Sequence, residues 1–369
     1  MIIVLTQCYP PRIGGIENLV FNLSLHLSKY EKVLVLADQH NIIDEILFDK
    51  NFKNDLIIKR FGGLKYFRKR NKFRELKKIN DLRKIKAIIS DSWKSIEYPI
   101  SKFNNNKIPF ICLAHGNEVI IKNNRHQQRI FNIFTKVNKI VSNSEFTKNL
   151  IKKVSSQIEN IEVIYPGVSS FENIIEEEVD LIDGTPTLLT LARLEKRKGH
   201  ENILYVLSKL KDQYPNIRYI IAGEGEEKSY LKSLVNTLNI YKNVNFIGSV
   251  TDAQKKYIFN KTDLMVMPTL DETNRSSIEG FGIAYIEASL FGIPSIASNI
   301  GGTKEAVLHN KTGLILDNLN DLRNYICELI ENKEKRKLFG KNAKNRAQNE
   351  LHWNNQVKKY LNLISNLSK

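Results

Sequence analysis

Two glutamates stand eight residues apart, Glu279 and Glu287, in a run from Arg275 to Ala288 that also holds Gly280, Phe281, Gly282 and Ile283. The pattern opens a helix at Gly282 and Ile283. Glu279 then lies in the preceding loop and Glu287 about one turn inside the helix. A helix start presents unpaired N–H groups and a positive dipole end to an anion such as phosphate. Glu287 can accept from the two hydroxyls of a ribose, and Glu279 from hydroxyls of an attached group. The same pair could equally be two buried salt-bridge partners.

Cations and glycines follow other apolar runs. Arg193, Lys196, Arg197, Lys198 and Gly199 come after Leu188–Leu191. Fixed cations beside a helix start suit a diphosphate, and a solvated basic turn is the plainer reading. Gly223-Glu224-Gly225-Glu226 follows the next run, without the third glycine of a dinucleotide-binding fingerprint. His115, ahead of Gly116, Asn117 and Glu118, could donate to a hydroxyl or phosphate, act as a base, or be merely structural. Gly14 and Gly15, within Pro11 to Glu17, would let backbone approach a ligand closely. No P-loop lysine, His-Glu-x-x-His, Cys-x-x-Cys or Asp-x-Asp pattern occurs, so no sequence-local metal site is expected.

Such residues need rigid elements behind them. Short β-branched runs at Ile2–Leu5, Val33–Leu36, Leu56–Arg60, Ala87–Ser90, Phe110–Leu113, Ile140–Ser142 and Val163–Ile164 read as strands. Segments of helical length separate several of them; Glu17 to Leu27 carries Leu19, Val20, Leu23 and Leu27 on one face. After an acidic stretch, Glu172 to Asp183, the pattern restarts. It runs through Leu188–Leu191, Tyr219–Ala222, Val244–Ile247, Leu264–Met267, Ser295–Ala297 and Leu314–Leu316. Strand–helix alternation implies parallel sheets covered on both faces. The expected class is α/β, with two doubly wound domains facing a cleft: residues 1–168, a linker at 169–184, and residues 185–350. An amphipathic helix within 351–369 ends the chain. Ligands bind outside the carboxyl ends of such strands, which makes the cleft the expected site.

Composition sets the outer bounds. The chain has 369 residues, 42% hydrophobic and 26% charged, which excludes wholesale disorder and collagen-like repeats. Its three cysteines, Cys8, Cys112 and Cys327, are far apart and read as free thiols in a reducing compartment. No apolar run reaches the roughly 18 residues of a membrane span, and Met1 to Leu5 is too short for a signal-peptide core. A cytoplasmic location is expected. The net charge is +16, yet residues 1–168 hold 29 basic and 15 acidic side chains, so nearly all the excess lies there. The densest run holds Lys65, Arg68, Lys69, Arg70, Lys72, Arg74, Lys77 and Lys78, with Tyr66, Phe67 and Phe73 interleaved. A solvated face or an anionic membrane surface fits that pattern. No zinc finger, zipper or RNA-binding aromatic signature accompanies it, so nucleic acid is not an expected partner.

Taken in order, these motifs resemble the retaining, nucleotide-sugar-dependent glycosyltransferases of family 4, which have the GT-B fold. The resemblance covers nearly the whole chain. It rests on Pro-x-x-Gly-Gly-x-Glu at 11–17, His-Gly-x-Glu at 115–118, Ser-x-x-Thr at 144–147 and Pro-Gly-Val at 166–168. It continues with Ala-Arg-Leu and Lys-Gly within 192–199, Gly-x-Gly at 223–225 and Phe-Ile-Gly-x-Val at 246–250. Glu-Gly-Phe-Gly with Glu-Ala at 279–288, Gly-Gly-x-x-Glu at 301–305 and Thr312-Gly313 complete it. The resemblance implies that Arg193 and Lys198 neutralise a donor diphosphate in place of a metal. Glu287 would bind the ribose, Val250 would lie near the base, and Glu279 would position the donor sugar. His115 would contact and orient that sugar. Gly14, Gly15, Gly223, Gly225, Gly280, Phe281, Gly282 and Ile283 would line the donor. The catalytic group is thus His115, Glu279, Arg193 and Lys198, with no cofactor, no metal and no covalent nucleophile. Domain closure and a last helix crossing back to the first domain are also implied. Tyr165 departs from the residue many relatives carry before Pro-Gly-Val, and Arg275 with the 270–278 loop is variable ground.

The acceptor reading follows from charge. Lys65, Arg68, Lys69, Arg70, Lys72 and Arg74 are expected to form a membrane or acceptor surface. The expected partners are a nucleotide sugar, a lipid or lipid-linked acceptor and an anionic membrane surface. The protein would be peripheral on the inner face of the plasma membrane. Rival readings are a soluble acceptor of the sucrose or trehalose type, a sugar-nucleotide epimerase, and a non-enzymatic basic binding module.

Overall fold

Continuous apolar runs of three to six residues make the strands, because strands covered by helices on both faces have no polar side to show. A computed structural model of the chain describes residues 1–52, 55–80, 85–102, 108–272 and 277–368. Arg275, in the middle of the 270–278 loop, lies outside them. The chain divides into two units, 1–167 with 353–369, and 168–352.

Unit 1 alternates strands and helices: β1 (Ile2–Thr6), α1 (Gly15–Leu27), β2 (Val33–Asp38), α2 (Ile42–Asp49), β3 (Leu56–Phe61), α3 (Lys65–Asn80) and β4 (Ala87–Ser90). Then come α4 (Trp93–Lys102), β5 (Phe110–Ala114), α5 (Asn124–Phe134), β6 (Lys139–Ser142), α6 (Glu145–Val154) and β7 (Ile161–Val163). All seven strands are parallel in the order β3-β2-β1-β4-β5-β6-β7. Unit 2 repeats the plan with β8 (Thr187–Leu191), α7 (His200–Leu210), β9 (Arg218–Ala222), α8 (Lys228–Thr237), β10 (Val244–Gly248) and α9 (Asp252–Asn260). It goes on through β11 (Leu264–Met267), α10 (Ile283–Leu290), β12 (Ser295–Ser298), α11 (Thr303–Ala306), β13 (Gly313–Leu316), α12 (Leu322–Glu331) and α13 (Lys333–Asn349). Its six strands run in the order β10-β9-β8-β11-β12-β13. In each unit the first strand sits centrally and the order reverses beside it. That places a topological switch point at the carboxyl ends of β1 and β4, and again at β8 and β11.

The acidic stretch at 169–184 forms neither helix nor strand and is bound to unit 2 along its length. Gln254 donates to Glu177 at 2.9 Å, Lys256 to the Ile174 carbonyl at 2.7 Å, and the Ile182 N–H to Asn245 at 3.0 Å. Phe171 adds a ring contact to Phe291 at 5.3 Å. Acidic and apolar residues of this stretch thus meet complementary groups on α9 and β10.

The last helix, α14 (Trp353–Leu367), belongs to unit 1 and packs on α1. Trp353 stacks on His26 with ring centroids 5.6 Å apart. Gly167 makes room for it: a Cβ there would lie 2.4 Å from the indole ring. Trp353→Ala is therefore expected to cost about 3–5 kcal/mol. Urea unfolding followed by Trp93, the other of two tryptophans, reads unit 1 alone. An unchanged midpoint would show that α14 is not part of that cooperative unit.

Candidate active site

The loop after β8 is pressed against the loop after β9 by backbone pairing. Leu194 N–H donates to the Glu224 carbonyl at 2.9 Å, and Glu227 N–H to the Leu194 carbonyl at 3.1 Å. Gly223 has φ +146°, and a Cβ there would sit 1.9 Å from the Ala192 carbonyl oxygen. Gly225 lies equally close to Leu194, with a Cβ position 2.4 Å from its carbonyl oxygen. Both glycines permit close packing of the arginine-bearing loop. Downstream, Lys196–Lys198 make one short 3₁₀ turn, and the Arg197 carbonyl accepts from Leu270 N–H at 2.7 Å. The turn aims Arg197 and Lys198 inward.

Both meet Glu279. Arg197 Nη1 donates to Glu279 Oε2 at 3.1 Å, and Lys198 Nζ donates to the same oxygen. Glu195 bridges outward from this pair, accepting from Arg197 at 2.9 Å and from Arg193 at 2.7 Å. Arg197 and Lys198 are buried, whereas the Arg193 side chain is 69% exposed. Glu279 is fixed from behind by the loop after β12. Its carbonyl accepts from Gly302 N–H at 2.9 Å, and Gly301, at φ +66°, packs 2.0 Å from it by its missing Cβ. Burial pushes the Lys198 ammonium below its ordinary pKa despite Glu279. Burial works to raise the Glu279 carboxyl, but Lys198 and Arg197 outweigh it and hold it below the usual range.

Gly280, Phe281 and Gly282 are buried and lead into α10, whose first residue is Ile283. Gly282 stands at φ +104° with the Tyr285 ring 2.5 Å from its absent Cβ. Glu287 points from α10 to α9, where Lys255 Nζ donates to it at 3.1 Å and also pairs with Asp252 at 3.0 Å. Burial disfavours the Lys255 charge, yet these two carboxylates hold its pKa above the ordinary value. Beside them Val250 packs in an apolar cluster with Leu189, Leu191, Ala222, Ile258 and Phe259. Unit 2 thus places Arg193, Lys198, Glu279, Gly223 and Gly225 on loops that touch. Glu287 and Val250 cluster separately at Lys255.

In unit 1, Asp91 at the end of β4 organises the loops of its neighbours. It accepts from Thr6 Oγ1 and Gln7 N–H, each at 2.8 Å, and from Ser92 and Ser95. Its carbonyl lies 2.7 Å from His115 Nε2, and Glu118 accepts from His115 N–H at 2.6 Å. Gly14 and Gly15 follow β1, where Glu17 folds over Gly14 and pairs with Arg12 at 3.0 Å.

The basic helix forms as α3 but does not present all its cations outward. Lys65, Arg70 and Arg74 are exposed. Lys72 is buried, donating to the Thr6 carbonyl at 2.6 Å and pairing with Asp38 at 2.5 Å. Arg68 also turns to Asp38, at 3.2 Å, and Lys69 to Glu97, at 3.4 Å. Helical periodicity divides the run: with three to four residues per turn, 68, 69 and 72 lie on one side together with 65, which is exposed at the helix start, and 70, 74 and 77 lie on the other.

A family model described as glycosyl transferases group 1 matches residues 172–346, and one described as glycosyltransferase family 4 matches residues 13–170. The chain belongs to these glycosyltransferases. A Corynebacterium glutamicum relative is 23% identical over 96% of this chain and 94% of its own length. It is described as a GDP-mannose-dependent monoacylated alpha-(1-6)-phosphatidylinositol monomannoside mannosyltransferase. A Mycobacterium tuberculosis relative, a GDP-mannose-dependent alpha-(1-6)-phosphatidylinositol monomannoside mannosyltransferase, is 30% identical over 42% of this chain. That match spans only 41% of the relative's own length. The crystal structure of Anabaena Alr3699/HepE in complex with UDP superposes with a TM-score of 0.78, at 18% identity and 99% coverage of each chain. The shared architecture is GT-B, two Rossmann-like units.

Sequence reasoning did not single out Glu195, Arg197, Lys255 or Asp91 in this glycosyltransferase. Arg197 stood in a cationic run whose facing is set only by the 3₁₀ turn. The Lys255 position had a readable signal: Thr251 and Gln254 form a capping box that starts α9 one turn before it.

Behind the cluster, burial pushes the His200 imidazole down to about 4, although a hydrogen bond to the Arg193 carbonyl works the other way and Lys198 adds to the drop. The unfolded chain holds this group near pKa 6.5, so it binds the extra proton between pH 6.5 and 4 and stability rises with pH there. The contribution is complete above about pH 6.5 and declines as pH falls toward 4. His200→Gln should remove up to about 3 kcal/mol of that acid-side loss. Urea midpoints at pH 7, 5.5 and 4 measure it. Parallel acid limbs in the two proteins would contradict the assignment.

Proposed function

We propose that the chain moves a hexosyl group, with retention of configuration and without a metal, from a UDP- or GDP-sugar to a lipid or lipid-linked acceptor. The acceptor would stand at the cytoplasmic face of a membrane. The observation that carries the donor half is the convergence of Arg197 and Lys198 on Glu279, just ahead of the α10 start. As a glycosidic C–O bond to a diphosphate breaks, negative charge grows on the leaving group. Prepositioned cations and a helix N-terminus stabilise that charge without reorganising. Arg193 and Lys198 are the cations assigned to this task, with Arg197 added from the geometry. Gly280, Phe281, Gly282 and Ile283 are assigned to the phosphates.

Glu279 is assigned to the hydroxyls of the donor sugar. A carboxylate held by two cations is a poor nucleophile, which supports same-face attack over a covalent intermediate. Glu287 is assigned to the ribose and Val250 to the base, and both lie beside Lys255. His115 is assigned to orienting the sugar, with its ring fixed by the Asp91 carbonyl. Gly14, Gly15, Gly223 and Gly225 complete the donor assignment.

The lipid acceptor is supported by the mannosyltransferase relatives, whose names give phosphatidylinositol mannosides as acceptors. Exposed Lys65, Arg70 and Arg74 support contact with anionic lipid. Among the described residues no helix is long and apolar enough to cross a membrane, so the proposed association is peripheral.

The test is thermal unfolding in EDTA with UDP, GDP, ADP and their sugars. A nucleotide at a hundred times its Kd adds about 2.7 kcal/mol, equivalent to roughly 5–10 °C for a unit of this size. One nucleotide should give that shift, and Lys198→Ala or Glu287→Ala should abolish it. Lys198→Ala should also lower kcat by about a hundred-fold or more. No shift with any nucleotide would overturn the donor reading, and a shift requiring a divalent cation would overturn the metal-free part.

A further inference from the structure

Strand β13 ends the unit 2 sheet, and among the described residues no strand pairs with its outer side. The segment before it folds back over that edge. Asn310 N–H donates to the Gly313 carbonyl at 2.9 Å, and Ile315 N–H donates to His309 Nδ1 at 2.9 Å. Thr312 Oγ1 accepts from Leu308 N–H at 2.8 Å and pins the start of the segment. A backbone N–H can only donate, so His309 Nδ1 holds a lone pair and the neutral ring carries its proton on Nε2. Beside this blocked edge lies a cavity of about 450 Å³, within the range of small-molecule sites.

Its walls carry two cations, one neutral donor and one carboxylate. Lys304 comes from α11, and Lys311 and His309 from the segment before β13. Both lysines are exposed, and among the described residues neither pairs with a carboxylate. Asn299 and Asp317 enter from the ends of β12 and β13. Asn299 Nδ2 donates to Asp317 Oδ1 at 2.8 Å, which leaves the other carboxylate oxygen to accept from a ligand. Leu308 and Ile315 add an apolar side.

We infer that this cavity is a second binding site, and that its ligand is a phosphorylated sugar. Lys304, Lys311 and the His309 Nε2–H would take the phosphate, since ammonium groups act on it as point charges. Asp317 and Asn299 would take sugar hydroxyls, and the apolar side would meet the C–H face of the ring. A nucleotide fits worse, because no phenyl, phenol or indole ring lines the cavity to stack a base. A bare phosphate would leave Asp317 facing an anion, and a neutral sugar would leave two ammonium groups unmatched. The site goes beyond the donor reading and does not need it, for none of Arg197, Lys198 and Glu279 lines the cavity. The two share one turn only: between Asn299 and Lys304, Gly302 N–H donates to the Glu279 carbonyl at 2.9 Å.

The experiment is isothermal titration of the full chain with glucose 6-phosphate, glucose 1-phosphate, inorganic phosphate and glucose. A sugar phosphate should bind more tightly than inorganic phosphate, and glucose should not bind. Lys304→Ala with Lys311→Ala should weaken the sugar phosphate by about ten-fold or more. Lys304→Gln with Lys311→Gln covers the case in which the first pair does not fold. Asp317→Asn should narrow the preference over inorganic phosphate. In protein with nitrogen-labelled histidine, the resonance lost in His309→Gln should report the Nε2-protonated ring and move when the sugar phosphate is added. No binding of either sugar phosphate, wild-type affinity in both folded lysine pairs, or an unmoved His309 resonance overturns the site. Equal affinity for inorganic phosphate overturns the sugar part. Loss of sugar phosphate binding in Lys198→Ala also overturns it, by placing the phosphate on the Glu279 cluster. Nucleotide-dependent thermal shifts in the lysine pairs separate the two claims. A retained shift with lost sugar phosphate binding concerns the cavity alone, whereas no shift in the wild type concerns the donor reading alone.

Discussion

Arg197 and Lys198 can lie buried only because one carboxylate, Glu279, accepts from both. An unpaired buried ammonium would shed its proton or cost several kcal/mol. That requirement fixes much of the surrounding backbone. Gly199, at φ +73°, brings the cationic turn against Pro268, Gly223 and Gly225 clamp it to the loop after β9, and Gly301 clamps Glu279 from the other side. Each of these contacts leaves no room for a Cβ. These four glycines therefore bring four strand ends together around one ion cluster. A phosphate-bearing ligand would meet cations whose positions are already set, which is the condition for electrostatic catalysis without reorganisation.

Unit 1 solves the same kind of problem with a neutralised polar chain. Lys72 is pushed below its ordinary pKa by burial, with Asp38 opposing the shift. It donates to the Thr6 carbonyl, and the Thr6 hydroxyl donates to Asp91. The Asp91 carbonyl then fixes His115. The chain of contacts joins α3, β1, β4 and the loop after β5. His115 owes its orientation to groups on three other elements, none of them adjacent in sequence.

The strand plan was legible because parallel strands covered on both faces read as plain apolar runs. All thirteen expected runs coincide with or overlap an observed strand. The weakest match is β7, Ile161–Val163 against an expected Val163–Ile164, at the sheet edge where burial is partial. Glu279, Glu287, Arg193 and Lys198 stand out in the sequence as candidates by type and spacing. Their partners do not, since which of Lys196, Arg197 and Lys198 turns inward depends on a single 3₁₀ turn. The facing of α2 was equally hidden. Ile42, Ile43, Ile46 and Leu47 in a sequence look like a core-facing helix, and only the burial of Glu45 and Phe48's ring contacts reverse that reading.

The same reversal governs the charge. Counting lysines and arginines in 65–78 overstates the surface potential of α3, because Lys72, Arg68 and Lys69 are matched by Asp38 and Glu97. What faces solvent is a thinner rim of Arg70, Arg74, Lys77 and Lys78, with Lys65 exposed at the helix start. A weaker charge changes the physics of any membrane contact, because attraction by charge alone fades within a Debye length and with salt. The inward cations are not wasted in this arrangement. Lys72 ties the helix that bears the rim to Thr6, and so to the network that sets His115, making one buried ammonium part of both the surface and the site.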